Sequence, residues 1–155
     1  RRRFESKGTS DSGIKIIDDY GHHPVEINYA LSSGRIIAKK NQLIAVFQPH
    51  RYSRLQNLFN EFCSCFNNAD VVIVADVYSA GENAIEGFNK ETLAAGISDF
   101  GHKNVSLLKS EDDLCAMIYE LANPNDVVIF LGAGNITKWS DNIISDIDRY
   151  RGQKC

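Results

Sequence analysis

Four polar clusters in this chain each follow an apolar run. They are Asp18-Asp19-Tyr20-Gly21-His22-His23-Pro24, Gln48-Pro49-His50-Arg51-Tyr52-Ser53-Arg54, Asp76-Val77-Tyr78-Ser79-Ala80-Gly81-Glu82 and Gly132-Ala133-Gly134-Asn135. Arg51 and Arg54 lie three apart at the start of an expected helix, so their side chains can converge on one spot. Beside free helix N–H groups, two guanidinium groups would make a site for a carboxylate or a phosphate. The same spacing suits solvated arginines, or partners for acids on a neighbouring loop.

Asp18, Asp19 and Tyr20 close one expected strand, and His22 and His23 open the helix after it. A carboxylate here could hold ribose hydroxyls or an amine, and a histidine could donate to an anion or act as a base. The plainer arrangement has one histidine capping the helix and the other in solvent. Gly132, Ala133 and Gly134 are small enough for backbone N–H groups to approach a phosphate. Thr137, however, stands where a G-x-G-x-x-G fingerprint has its third glycine, and a tight strand-to-helix turn needs the same small residues. Asp76 and Glu82 bracket a loop that either sets a carboxylate near an ammonium or is a polar turn. No Ser-His-Asp order compels a hydrolase, and no G-x-x-x-x-G-K-S/T loop is present. The chain alone is therefore not expected to hydrolyse ATP or transfer its phosphate.

The elements that must position these residues alternate. Strands are expected at 2–6, 14–19, 42–48, 71–75, 105–108 and 127–131. The 7–13 link is too short for a helical crossover, so the first two strands should pair antiparallel. Pro24 suits the first turn of a helix running to about Lys39, within which Gly34 is a mild weakness. Ser53 would cap a helix whose stripe is Leu55, Leu58, Phe59, Phe62, Cys63 and Phe66. Further helices are expected at 90–98, at about 111–122 behind a Ser110 cap, and from Asn135 to about Tyr150. Alternation of this kind means a Rossmann-like α/β domain: about six strands, mostly parallel, one antiparallel, with helices on both faces. In such sheets ligands bind beyond the carboxyl ends of the strands, which is where all four clusters fall.

Bulk properties fit one soluble domain spanning 1–155, with 43% hydrophobic and 24% charged residues. A net charge of -3 disfavours a general nucleic-acid binder. No apolar run reaches bilayer length, so no membrane partner is expected. Cys63, Cys65, Cys115 and Cys155 lack zinc-type spacing and read as free thiols in a reducing cytoplasm. The chain opens on Arg1, not Met, and runs at once into the strand expected at 2–6, which suits an excised domain or a processed product.

These strings, together with Arg2-Arg3-Phe4-Glu5, resemble the C-terminal domain of the Mur ligases over essentially all 155 residues. Sister ligases carry a related Asp-Tyr-Ala-His-x-Pro string, so Gly21 and the His22-His23 pair favour the alanine-adding branch. The resemblance implies an ATP-dependent ligase of peptidoglycan synthesis that joins L-alanine to UDP-N-acetylmuramate through an acyl phosphate. It implies that an N-terminal UDP-binding domain and a central ATPase domain, both absent here, are this domain's partners. The phosphate loop, the Mg2+ ligands and a carbamylated lysine would lie in the central domain, leaving no metal ligand here. Position by position, Arg3 resembles a hinge arginine that reaches ATP phosphate, and Asp19 an aspartate at the ATP ribose. Tyr20, His22, Arg51 and Arg54 resemble residues around alanine and the nascent product, the arginines facing carboxylate. Their contribution would be positioning and electrostatics rather than proton transfer. Thr137-Lys138-Trp139 replaces a commoner Gly-Lys-Ile, expected to alter only the local helix start. Two competitors stand beside this reading. One is a peptide-adding ligase acting on the same UDP-sugar, against which Tyr52 and Arg54 argue for a small pocket. The other is a stand-alone nucleotide-binding module.

Overall fold

The computed structural model describes residues 3–154, and within them six strands form one sheet. They are β1 (Glu5–Thr9), β2 (Lys15–Asp19), β3 (Leu43–Phe47), β4 (Val71–Val74), β5 (Val105–Leu107) and β6 (Val127–Leu131). Their spatial order is β1-β2-β6-β3-β4-β5. Only β1 and β2 pair antiparallel; every other neighbouring pair is parallel. The apolar runs made this legible, because a strand buried on both faces carries no polar alternation.

Helices α1 (Pro24–Ala38), α2 (Tyr52–Asn57), α3 (Phe59–Ser64), α4 (Lys90–Asp99), α5 (Leu114–Leu121) and α6 (Ile136–Lys154) cover the sheet. On one face, Val127, Ile129 and Leu131 of β6 join Ala45 and Phe47 of β3, packing against Leu31 of α1, Leu55 of α2, Phe62 of α3 and Leu93 of α4. On the other, Val128 and Phe130 join Ile44 and Val46 against Ile118 of α5 and Ile143 and Ile147 of α6. The two-residue period of a strand sends alternate side chains to opposite cores.

Register decides where the strands stop. Asp19 pairs with Leu131, Leu131 with Phe47, Phe47 with Val74, and Val74 with Leu107. The polar clusters therefore leave the sheet at one level and form one rim.

Local differences from the sequence reading have physical reasons. The first strand begins at Glu5, because Phe4 is left-handed at φ 47; Arg2 lies outside the described residues. The expected single helix after Ser53 is two helices broken at Leu58 (φ -121, ψ 26). Ser53 is not their cap, since α2 starts at Tyr52 behind Arg51. Gly34 is less a weakness than a close approach, because a Cβ there would lie 2.9 Å from buried Leu43 Cδ1. Ser110 precedes a 3-10 turn, Glu111–Asp113, and makes no capping hydrogen bond. Cys63, Cys65 and Cys115 are free thiols, and Cys155 is outside the described residues. Among the described residues no helix is long and apolar enough to cross a membrane.

On the rim, Gly132 brings backbone close to backbone at a φ of +154. A Cβ there would sit 3.0 Å from the Gln48 carbonyl oxygen and 2.9 Å from Ile136 Cγ2. Gly132→Ala should therefore cost about 1–3 kcal/mol. At ~2–4 °C per kcal/mol for a chain of this size, Tm should fall by several degrees in a circular dichroism melt. An unchanged Tm would show that the turn has room to relax.

Candidate substrate-binding rim

The loop after β2 is held by two carboxylates. Asp19 is 4% exposed, and its two oxygens accept the N–H groups of Gly21 (2.7 Å) and Phe4 (2.8 Å). Burial raises its pKa above the ordinary carboxylate value, and those two N–H groups work against the rise. Glu26 Oε1 accepts from the backbone N–H groups of His22 (3.1 Å) and His23 (3.2 Å), while Oε2 lies 3.5 Å from Arg3 Nη2. Burial alone would raise the Glu26 pKa, but the two N–H groups, the His22 ring and Arg3 together lower it. His23 caps α1 through Nδ1 and Val25 N–H, completing a capping box with Glu26. His22 is thus the histidine left facing the rim, its Nδ1 3.0 Å from the Tyr20 carbonyl oxygen.

An aromatic row crosses from this loop to the next two. Tyr20 meets His22 edge-on at 5.0 Å between ring centres, His22 lies 6.0 Å from His50, and His50 stacks on Tyr78 at 5.4 Å and 10°. Tyr78 is fixed from below: its N–H donates to Pro49 and its carbonyl accepts from Arg51 N–H, each at 2.8 Å. Gly134 lets the ring sit there, since a Cβ would meet Tyr78 Cγ at 2.7 Å and Gln48 Oε1 at 2.6 Å. Gln48 is 4% exposed, and its amide donates to Asn135 Oδ1 at 2.7 Å, joining the β3 and β6 loops.

The two arginines start from one loop and are held differently. Arg54 Nη1 donates to the His50 carbonyl (2.8 Å) and lies 3.2 Å from His50 Nδ1. Arginine has no acceptor, so Nδ1 accepts and the His50 proton sits on Nε2. Arg54 has no carboxylate partner among the described residues. Arg51 is left-handed at φ 79, and its Nη1 lies 3.7 Å from Glu82 Oε2. Glu82 also accepts from Ser53 N–H (3.0 Å) and Ser53 Oγ–H (2.6 Å), which lowers its pKa.

That last finding corrects the expected anion site. Glu82 already takes the N–H group at the start of α2, so anion-binding capacity on this loop resides in the guanidinium groups. The sequence signal was weak, because Ser53 and Glu82 lie 29 positions apart. Thr137 also does more than start a helix, since its hydroxyl donates to the buried Asp18 carboxylate at 3.1 Å.

The rim therefore brings together Tyr20, His22, Arg51 and Arg54, and adds His50, Tyr78 and Glu82. Arg3 sits at its margin with a side chain 56% exposed, its Nη2 3.5 Å from Glu26 Oε2. Asp19 is less open: a ribose hydroxyl would meet only its 4% exposed edge. Among the described residues no group of three or more His, Cys, Asp or Glu is placed to hold a metal ion.

Burial lowers the His50 pKa below the ordinary imidazole value, with Arg54, His22 and Arg51 adding to the effect. Folding thus favours the neutral ring. The unfolded chain takes up its proton first as pH falls below about 6.5, and this contribution to stability is then lost through the folded midpoint. A titration of the His50 ring by NMR should give a midpoint below about 6.5. Arg54→Ala should raise that midpoint without restoring it fully, because burial remains. A wild-type midpoint at or above about 6.5 would contradict the downward shift attributed to burial.

The chain has relatives among known proteins, by sequence and by fold. The family described as Mur ligase, glutamate ligase domain matches residues 2–134. A UDP-N-acetylmuramate–L-alanine ligase of Rhodospirillum centenum is 52% identical over 152 residues, covering 98% of this chain and 31% of the relative. One from Parvibaculum lavamentivorans is 51% identical over 154 residues, covering 99% and 31%. Among solved structures, a UDP-N-acetylmuramate–alanine ligase of Thermotoga maritima superposes with TM-score 0.75 at 25% identity, over 99% of this chain and 30% of that one. A murein peptide ligase of Psychrobacter arcticus gives 0.76 at 18% identity, over 96% and 30%, a likeness of fold alone. The chain thus spans about a third of the length of the relatives it matches.

Proposed function

The chain belongs to the Mur ligase family, in its glutamate ligase domain, and from that premise we propose that it is the C-terminal, amino-acid-binding domain of a ligase joining L-alanine to UDP-N-acetylmuramate. Relatives at 52% and 51% identity that carry this activity in their names support the choice of substrates. The observation that carries it is Arg54. Its guanidinium is steadied by His50, has no carboxylate opposite it among the described residues, and stands on a rim shared with Tyr20 and His22. A carboxylate arriving there meets a preoriented donor rather than a flexible side chain, so little ordering entropy remains to be lost.

In this reading Arg54 and Arg51 hold the carboxylate of alanine and of the product. Tyr20 and His22 wall the other side. Holding the amine in line with an activated acyl group is a contribution of proximity and charge. Neutral His50 serves by supporting Arg54; with Arg54 donating to its Nδ1, it is poorly placed to take a proton there. ATP supplies the activation of the muramyl carboxylate when bound. Arg3 is the residue here suited to its phosphates, and Asp19 holds the backbone on which Arg3 and Tyr20 sit. The phosphate loop, Mg2+ ligands and UDP site belong in this proposal to preceding central and N-terminal domains, and the reaction to the cytoplasm.

The test is coupled ADP release by the full-length protein with UDP-N-acetylmuramate and each amino acid in turn, plus the tripeptide acceptor of the peptide-adding ligases. Alanine should give the highest kcat/KM, and Arg54→Ala should lower it by about 10–100-fold, the range expected for losing a charged hydrogen bond. Arg54→Lys should recover only part, because a point charge replaces a fork. Turnover with the peptide but not alanine would move the chain to the peptide-adding branch. Unchanged kinetics in Arg54→Ala would remove the carboxylate clamp.

A further inference from the structure

Two carboxylates on this rim do the same job by different routes. Glu26 reaches back within its own capping box to the N–H groups of His22 and His23. Glu82 reaches across from another loop to the start of α2, whose own N-cap residue, Arg51, offers no side-chain hydrogen bond. Glu82 takes both donors of Ser53, at 3.0 Å and 2.6 Å, and sits 3.7 Å from Arg51 Nη1. Arg51 needs such support. At φ 79 its backbone is in a region costly for a residue with a Cβ, so neighbours must overdetermine it. They do: Tyr78 carbonyl holds its N–H at 2.8 Å, and Glu82 holds its side chain and the residue two positions on. The strained residue separates His50 from the first turn of α2, so it sets the angle at which Arg54 returns to His50.

We propose that Glu82 is a positioning residue for the arginine pair: its carboxylate fixes the strained turn at Arg51 and thereby aims Arg54 at the incoming carboxylate. Glu82 does not touch substrate. Its negative charge beside Arg51 also leaves Arg54 as the stronger anion receptor of the two, which sets the register of the bound carboxylate. This rests on the proposed ligase reading for what the rim binds, but the anchoring itself is independent of it.

Both parts are testable in the full-length protein with Glu82→Ala and Glu82→Gln. The amide side chain of the Glu82→Gln variant can still accept the Ser53 N–H, but it lacks the charge. Hydrogen exchange should rise at residues 52–57 in Glu82→Ala, less so in Glu82→Gln, with Tm close to wild type. In alanine-dependent ADP release, KM for alanine should rise about tenfold in Glu82→Ala and by less in Glu82→Gln, with kcat within about twofold, the pattern of lost uniform binding. Unchanged exchange at 52–57 overturns the anchoring, whatever the kinetics. Raised exchange with unchanged KM overturns the positioning role. A lower KM overturns it too, showing instead that Glu82 competes with substrate for Arg51. Absence of alanine-dependent ADP release in wild type overturns the ligase reading alone, leaving the exchange data to judge the anchor.

Discussion

Everything on the rim depends on parallel strands ending level. Asp19, Leu131, Phe47 and Val74 are register partners in neighbouring strands, so the residues after them emerge side by side. A slip of one residue would turn a strand's inner side chains to the opposite core and move its loop out of the row. The two apolar cores guard against that, because each strand side chain is committed to one face. Stability and site geometry therefore rest on the same contacts. What packs Phe47 and Phe130 also places His50 and Gly134.

The rim's charge arrangement is a second consequence of backbone geometry. Strand ends and helix starts leave N–H groups unsatisfied, and here the chain's own acids meet them. Asp19 serves Phe4 and Gly21, Glu26 serves His22 and His23, and Glu82 serves Ser53. At the starts of α1 and α2 an external anion is thus offered guanidinium groups instead of a bare helix end. Guanidinium recognises carboxylate geometry through paired N–H donors, whereas a helix end accepts most anions. That favours discrimination over raw affinity.

Much of this was legible in the chain. The strands were, because Val-Val-Ile-Val and Val-Val-Ile-Phe-Leu runs admit little else, and the rim followed from strand alternation. The choice of Tyr20, His22, Arg51 and Arg54 came from the resemblance; alternation accounts only for their loops leaving the same edge of the sheet. What escaped was nonlocal. The break at Leu58 lies within an unbroken apolar stripe, so periodicity passes over it. Ser53 has the chemistry of a cap, yet its hydroxyl is drawn to Glu82, 29 positions away. His50 and Tyr78 stack because two loops cross, and Gly134 matters because Tyr78 leans on it; no window of sequence holds both. Nor does the sequence show that Asp19 accepts the N–H groups of Phe4 and Gly21, contacts that depend on how the chain folds back.

The most direct measurement is a crystal structure of the full-length protein with the alanylated UDP-sugar bound. The alanyl carboxylate should lie within about 3 Å of an Arg54 nitrogen, with Tyr20 and His22 flanking it and Glu82 still on Ser53. A product carboxylate seated away from the arginine pair, with Arg54 open to solvent, would contradict the assignment of this rim as the amino-acid site.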